Sequence, residues 1–268
     1  MRPAPRIATV RQAGVASFFV EPSPPAYSRL LDRALELAAT AHRTQVRKGS
    51  QVPYVMHPVH VAILLLKHGF PEEVVVAGVL HDVVEDTDVT LETVEAEFGP
   101  AVAALVASVT ETKTERGDAA PRPWRVRKEE QLEALRRATH HTAALKAADA
   151  IHNCHSTLRE LDRVGAEAWR RFRAPPPEQV WYFRAVVRGV RAHLGEHPIA
   201  VELAALVERL AARATEDEGE ASRESAPAAS SRESAPGGTA RDSAPGAPGG
   251  AAQRGEAAQR GEAAAQAS

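Results

Sequence analysis

The chain has 268 residues, of which 44% are hydrophobic and 25% are charged, and its formal net charge is -2. These values are ordinary for a soluble globular protein, and the near-neutral charge indicates neither a nucleic-acid nor a membrane-surface partner. No apolar run approaches the roughly 20 residues that a transmembrane helix needs. The single cysteine, Cys154, excludes an internal disulfide and fits a reducing, cytoplasmic compartment.

Three zones follow one another along the sequence. Residues 1–25 are irregular and end in the proline-rich stretch EPSPP. Residues 26–213 show helical patterning and are predicted to form an all-α helical bundle. From residue 214 the composition narrows to Ala, Gly, Ser, Pro, Glu, Arg and Gln, with near-repeats such as SRESAPA and SRESAPG. The segment 214–268 is therefore predicted to be disordered, because it cannot bury enough apolar surface to offset its ordering entropy.

The first helices of the middle zone are predicted from apolar residues at helical spacing. One covers YSRLLDRALELAATAHRTQ, and a second covers HPVHVAILLLKHG and ends at Gly69. A third, PEEVVVAGVLHDVVED, has Pro71 and two acids in its first turn, where the helix dipole favours acids. TLETVEAEFG follows with Thr90 as N-cap and Gly99 as C-cap, and PAVAALVASVTE comes next.

The second half of the zone begins after a polar, basic connection at residues 112–126. RKEEQLEALRRAT and HTAALKAADAIHNCHSTLREL are predicted helices, and a proline-rich turn at residues 175–177 precedes two closing helices, 178–194 and 198–213. The aromatic residues of WRRFRAPPPEQVWYF are predicted to pack these closing helices, with base stacking as the alternative.

A cluster of acids follows one histidine at the end of the third predicted helix, in the sequence HDVVEDTD that starts at His81. The helix dipole disfavours acids at a C-terminus, so a divalent cation is the simplest compensating charge. Residues four apart share a face, which places Glu85 one turn beyond His81 and Asp86 one turn beyond Asp82. An exposed, charged helix end is the alternative interpretation.

Two more residues complete a candidate ligand set. His57 opens the second helix, and Asp149 lies in the apolar segment ALKAADAIHN, where a buried carboxylate needs a partner. Two histidines and two aspartates are a mixed nitrogen and oxygen set that suits Mn, Fe or Zn. A capping role for His57 and a solvated position for Asp149 remain alternatives. His152 and His155 flank Asn153, and either one is a candidate to face the site.

The order of these residues resembles the HD-domain metal phosphohydrolases. The blocks AHRTQVRKGSQVPYVMHPVHVA, AGVLHDVVEDTDVTLETVEAEFGPAVAALVASVTE and LKAADAIHNCHS are similar to the hydrolase domain of the RelA/SpoT family, which includes stand-alone small alarmone hydrolases. The resemblance covers residues 26–194. It implies an all-helical HD fold that holds one Mn²⁺ and a reaction that removes pyrophosphate from the 3′ position of (p)ppGpp, giving GDP or GTP.

The resemblance also implies roles for individual residues. Glu85 and Asp86 match the acidic pair that activates and steers the attacking water. Four residues match the family's metal ligands: His57, His81, Asp82 and Asp149. Three residues match positions that contact the nucleotide: Arg47, Lys48 and Asn153.

Some features depart from the family pattern and leave the substrate open. His155 stands where the family commonly has an arginine, and the folded zone leaves no room for the synthetase domain of bifunctional members. The segment 111–130 also differs, although its cations Arg125, Arg127 and Lys128 are candidates to face phosphates. A phosphatase acting on another nucleotide, such as NADPH, is therefore one alternative. A catalytically silent nucleotide-binding module is another, and the retained acidic pair argues against it.

Overall fold

A computed structural model of the chain describes residues 28–111 and 122–224. The predicted irregular N-terminal segment and most of the predicted tail lie outside these residues. Within the described residues every regular element is a helix, and the only β-type pairing is an isolated antiparallel bridge between Val46 and Pro53. The all-α prediction is confirmed.

The helices correspond closely to the segments with helical spacing. In chain order they are α1 (Arg29–Ala41), α2 (Met56–Lys67), α3 (Glu72–Leu80), α4 (Val83–Asp86), α5 (Leu91–Phe98), α6 (Pro100–Val109), α7 (Trp124–Arg136), α8 (His140–Val164), α9 (Pro176–Leu194) and α10 (Pro198–Glu224), with a 3-10 segment at Gly165–Arg171. The Thr90 side chain accepts a hydrogen bond from the backbone N–H of Thr93, which confirms the predicted N-cap of α5. Gly99 ends α5 with φ 86°, in the left-handed region that favours glycine.

The acidic helix end differs from its prediction. Helical spacing predicts one helix through Asp86, but the regular helix stops at Leu80 and resumes at Val83. His81 Nδ1 donates a hydrogen bond to the backbone carbonyl of Gly78 over 2.9 Å. That carbonyl is the acceptor that the N–H of Asp82 would use in a continuing α-helix. The imidazole therefore competes with the backbone hydrogen bonds of the helix. The break falls at two predicted ligands, His81 and Asp82.

Helix α10 also runs further than predicted, because the boundary expected after residue 213 falls inside it. Asp217 is buried, and its Oδ2 accepts a hydrogen bond from the indole Nε1 of Trp169 over 2.8 Å. Its Oδ1 accepts a second bond from Nε of Arg213 over 3.3 Å. Composition alone does not reveal this extension, because one of these partners, Trp169, comes from a distant segment of the chain.

The core positions the candidate site by joining helices that are distant in sequence. Helix α2 packs against α3 and α8, and α10 packs against α8 and α9. The predicted packing role of the aromatic residues is confirmed for Trp169, Tyr182 and Phe183, which are buried in this core. None of the described helices is long and apolar enough to cross a bilayer.

Gly78 allows α3 to approach α2 closely, and changing it to Ala is expected to destabilise the fold by about 1–3 kcal/mol. An added Cβ would lie 2.7 Å from Cδ1 of Leu65 and 3.4 Å from Cγ1 of Val61, and both neighbours are fully buried. Urea denaturation monitored by circular dichroism measures the loss as a lower midpoint. Glu95→Ala, at an exposed position of α5, is the control, and equal midpoints for Gly78→Ala and wild type would contradict the packing argument.

Candidate functional site

The predicted metal ligands converge from three parts of the fold. His57 lies in the first turn of α2, His81 at the break between α3 and α4, and Asp149 in the middle of α8. Each of these side chains offers one ligand atom, and the three atoms lie within 4.8 Å of one another. Oδ1 of Asp149 is 3.4 Å from Nε2 of His57 and 4.0 Å from Nε2 of His81.

The fourth predicted ligand, Asp82, lies beside the same point. Its Oδ2 is 3.5 Å from Nε2 of His57 and 3.2 Å from Nε2 of His81. Adjacent helical side chains diverge by about 100 degrees, yet the break after α3 lets His81 and Asp82 approach one point. One carboxylate oxygen of Asp82 and one of Asp149 thus lie within 3.2–4.0 Å of Nε2 of His57 and Nε2 of His81.

The chemistry of this cluster fits a divalent cation. His81 is buried, and its Nδ1 bonds the Gly78 carbonyl; its Nε2 lies 3.2 Å from Oδ2 of Asp82 but, within the described residues, forms no well-aligned hydrogen bond. A histidine that donates through one nitrogen presents the lone pair of the other, which is the usual arrangement of a metal ligand. Burial favours the neutral ring, but the Asp82 carboxylate raises the pKa of His81 to about 9. The cluster therefore favours a positive charge at Nε2, as a bound cation supplies.

Neighbours on α8 hold the Asp149 carboxylate in its ionised form. Nζ of Lys146 donates to Oδ2 over 3.0 Å, and Nδ2 of Asn153 donates to Oδ1 over 2.6 Å. Burial alone would raise the pKa of Asp149, but the Lys146 ammonium holds it well below its usual value. Lys146 is absent from the predicted site. The signal that could have found it is its position three residues before Asp149 on the same helix face.

His152 is the histidine of the pair around Asn153 that faces the site. Its Nδ1 lies 2.7 Å from Nδ1 of His57, whereas His155 is exposed. Burial, together with the nearby His57 and Arg47, lowers the pKa of His152 to about 3. Burial also lowers the pKa of His57. Two neutral rings can share one N–H···N hydrogen bond, which fixes the His57 ring with Nε2 toward the cluster.

The acidic pair lies at the edge of the same cluster, and each acid has a partner. Oε2 of Glu85 accepts a hydrogen bond from the backbone N–H of Glu111 over 2.9 Å. Oδ2 of Asp86 accepts from the hydroxyl of Tyr54 over 3.2 Å. The same hydroxyl lies 2.7 Å from Oδ2 of Asp82, so Tyr54 connects a proposed ligand to the acidic pair. Tyr54 was missed because nothing in its local sequence pattern marks it.

Changing Tyr54 to Phe is expected to lower the hydrolytic rate about 10- to 100-fold, because partners that orient metal-binding carboxylates typically contribute that much. Burial, followed by Asp82 and Asp86, raises the pKa of Tyr54, so its hydroxyl remains protonated and donates. Steady-state rates measured with a saturating divalent cation test this expectation. A variant within twofold of the wild-type rate would show that the phenol hydroxyl does not orient the site.

A large cleft of about 1450 Å³ opens over the cluster, and every predicted site residue lines it. Nη2 of Arg47 donates to Oδ1 of Asn153 over 3.0 Å, and Asn153 in turn bonds Asp149. The Arg47 guanidinium also lies 5.5 Å from the centre of the Tyr54 ring. Lys48 follows on the same loop and lines the same cleft. Two of the three predicted nucleotide contacts, Arg47 and Asn153, are therefore connected to the proposed ligand Asp149 by hydrogen bonds.

The three cations of segment 111–130 that were candidates to face phosphates, Arg125, Arg127 and Lys128, have acidic partners in the fold. Arg127 and Lys128 both pair with the buried carboxylate of Glu111, Lys128 over 2.8 Å. Arg125 pairs with Glu178 over 2.6 Å, away from the cleft. Acids from distant parts of the chain thus compensate these charges, which the sequence interpretation did not anticipate.

The chain matches the HD domain family over residues 34–173. It is 35% identical over 165 residues to the zebrafish (Danio rerio) protein named guanosine-3′,5′-bis(diphosphate) 3′-pyrophosphohydrolase MESH1, covering 60% of this chain and 84% of the relative. The human protein of the same name is 36% identical over 167 residues, covering 61% of this chain and 86% of the relative.

Two solved structures are also similar to this chain in sequence and fold. One, described as a metazoan ortholog of SpoT that hydrolyzes ppGpp, is 30% identical with a TM-score of 0.56, and the match covers 68% of this chain and 96% of the other. The crystal structure of lmo0812 from Listeria monocytogenes EGD-e is 37% identical with a TM-score of 0.52, and the match covers 57% of this chain and 97% of the other.

Proposed function

The chain belongs to the HD-domain family, and from this premise we propose that it is a guanosine-3′,5′-bis(diphosphate) 3′-pyrophosphohydrolase. It converts (p)ppGpp and water to GDP or GTP and pyrophosphate. The observation that carries the proposal is the junction, in one cleft, of a histidine and aspartate cluster with an acidic pair and cationic nucleotide contacts. The names and chemistry of the relatives support the same reaction.

The proposed metal ion is Mn²⁺, and the proposed ligands are His57, His81, Asp82 and Asp149. Two imidazole nitrogens and two carboxylate oxygens are a mixed nitrogen and oxygen set that suits Mn, Fe or Zn. A divalent cation held there lowers the pKa of water and makes hydroxide available near neutral pH. Lys146, Tyr54 and His152 keep the ligand side chains in place through the hydrogen bonds described above.

The acidic pair, Glu85 and Asp86, is proposed to activate and position the attacking water. Glu85 accepts a proton from the attacking water, and Asp86 holds that water in line with the phosphorus next to the ribose 3′ oxygen. The bond between that oxygen and phosphorus breaks, pyrophosphate leaves, and the 3′ oxygen takes up a proton. The backbone N–H of Glu111 donates to one oxygen of Glu85 and so fixes the orientation of the carboxylate that takes the proton.

The proposed substrate contacts are Arg47, Lys48 and Asn153. A guanidinium can pair with phosphate oxygens or stack on the base, and Asn153 already connects Arg47 to the ligand Asp149. The proposed ligand of the site is thus a small nucleotide, and we propose neither a nucleic-acid nor a membrane partner. Cytoplasmic location is part of the same proposal and is consistent with the free, buried Cys154.

The decisive experiment measures product release by the purified full chain with Mn²⁺. Pyrophosphate released from ppGpp is the expected result, with phosphate release from NADPH measured under the same conditions. If NADPH is hydrolysed and ppGpp is not, the chain is a phosphatase of another nucleotide. If neither is hydrolysed while ppGpp binds, the silent binding module is the correct interpretation.

A further inference from the structure

The cleft extends from the predicted nucleotide contacts Arg47 and Lys48 along a row of further cationic side chains, and the whole set is here called the basic rim. Its members come from the loop after α1, from the second half of α8 and from the segment that precedes α9: Arg47, Lys48, Arg159, Arg163, Arg171 and Arg173. All of them line the same cleft as the metal cluster. The rim is therefore part of one continuous surface that starts at the proposed ligands.

Helix α8 extends the site face toward the rim. Asp149, Asn153, Glu160 and Arg163 follow one another at spacings that keep them on one side of an α-helix. With a rise of 1.5 Å per residue, Arg163 lies about 15 Å beyond Asn153 along the helix axis. The rim therefore extends along the same side of α8 that carries Asp149 and Asn153.

The 3-10 segment after α8 brings a second group of cations back over the loop of Lys48. Nη1 of Arg171 donates to the backbone carbonyl of Lys48 over 3.4 Å. Burial, then Arg173 and Arg171, lowers the pKa of Lys48. Burial also lowers the pKa of Arg171; the Glu160 carboxylate opposes this shift, and the neighbouring Arg47 and Arg159 add to it. Like charges thus lie close enough to destabilise one another.

Acids compensate only part of this charge. Glu160 pairs with Arg163 over 2.5 Å, whereas Asp162 lies 3.9 Å from Arg213 on α10. Within residues 28–111 and 122–224, neither Arg159 nor Arg173 forms a salt bridge. A cleft wall that gathers mutually repelling cations is favourable when a polyanion occupies it, since arginine pairs strongly with phosphate oxygens.

We propose that the basic rim is a second phosphate subsite, which binds the phosphates at the 5′ end of the nucleotide while the 3′ pyrophosphate lies at the metal cluster. This inference rests on the proposed function and deepens it. Guanosine tetraphosphate carries phosphate groups on both sides of its ribose, so one cleft must accommodate two anionic ends. If the rim binds these phosphates, the affinity for the nucleotide increases with the number of its 5′ phosphates.

The test compares guanosine 3′-diphosphates that carry one, two or three phosphates at the 5′ position. Wild-type KM for pyrophosphate release is expected to fall as 5′ phosphates are added. In the double variant Arg171→Gln/Arg173→Gln, KM for the 5′-triphosphate form is expected to rise about 10-fold or more, as the loss of charge-assisted hydrogen bonds predicts. Arg209→Gln, at an exposed position of α10 outside the cleft, is the matched control.

The rim is refuted if wild-type KM does not depend on the number of 5′ phosphates, or if the double variant keeps the full dependence. Arg159→Gln/Arg163→Gln is a second double variant, to be used if the first one fails to fold. It too should weaken the dependence of KM on the number of 5′ phosphates. If wild type releases no pyrophosphate, the proposed function fails by itself. Equilibrium binding of ppGpp to Mn²⁺-loaded protein then decides the rim: equal affinity of wild type and both double variants refutes it, and weaker binding by the variants supports it.

Discussion

Changing Asp82 to Ala is expected to abolish binding of the proposed Mn²⁺ and to lower the hydrolytic rate about 1000-fold or more, because a metal held there would contribute several kcal/mol of transition-state stabilisation. Oδ2 of Asp82 is the oxygen that lies 3.5 Å from Nε2 of His57 and 3.2 Å from Nε2 of His81. Without it the two imidazoles lose a negative charge that favours a cation between them. Metal content after gel filtration, measured by mass spectrometry beside the rate, tests both parts of the expectation.

Asp88→Ala is the matched control for this experiment. Asp88 belongs to the same acidic segment and is exposed, and it is six residues from Asp82 in sequence. The control should keep both metal and turnover. Stoichiometric Mn²⁺ and a normal rate in Asp82→Ala would refute the assignment of Asp82 as a ligand.

Changing Glu85 to Gln is expected to separate chemistry from metal binding. Gln has the same size and can still accept a hydrogen bond from the N–H of Glu111, so the local structure and the metal cluster should remain. An amide does not take up the proton of the attacking water, and kcat should fall about 100- to 10,000-fold. KM should change little, because the proposed substrate contacts lie elsewhere in the cleft.

Metal content, kcat and KM of the Glu85→Gln variant are to be measured together, with Glu95→Gln on the exposed side of α5 as the control. Turnover within tenfold of wild type would show that Glu85 is not the base. Loss of Mn²⁺ would instead show that Glu85 supports the cluster, which is a different role from the one proposed.

Much of the fold follows from local patterns. Apolar residues at helical spacing predict α1, α2 and α5 to α9 to within a few residues, because each helix buries one face and its ends are marked by caps such as Thr90 and Gly99. The spacing of apolar residues does not predict the break at His81. It depends on an imidazole taking the Gly78 carbonyl, which a periodicity of apolar residues does not encode.

The candidate site was predictable in its residue types and less so in its supporting contacts. The two histidines and two aspartates stand out because acids are costly at a helix end and in an apolar segment. Tyr54, Lys146 and Glu111 do not stand out, since each is ordinary where it lies in the sequence. Their importance arises from what they touch: Asp82, Asp149 and Glu85.

Sequence by itself determined the helical class, the candidate ligands and the family resemblance, because helix periodicity and costly charges are local properties of the chain. Only the tertiary structure decided which of His152 and His155 faces His57, and that Arg127 pairs with a buried acid. It also decided that Arg171 returns to the loop of Lys48. These contacts join residues far apart in sequence, and the packing of whole helices determines whether their side chains meet.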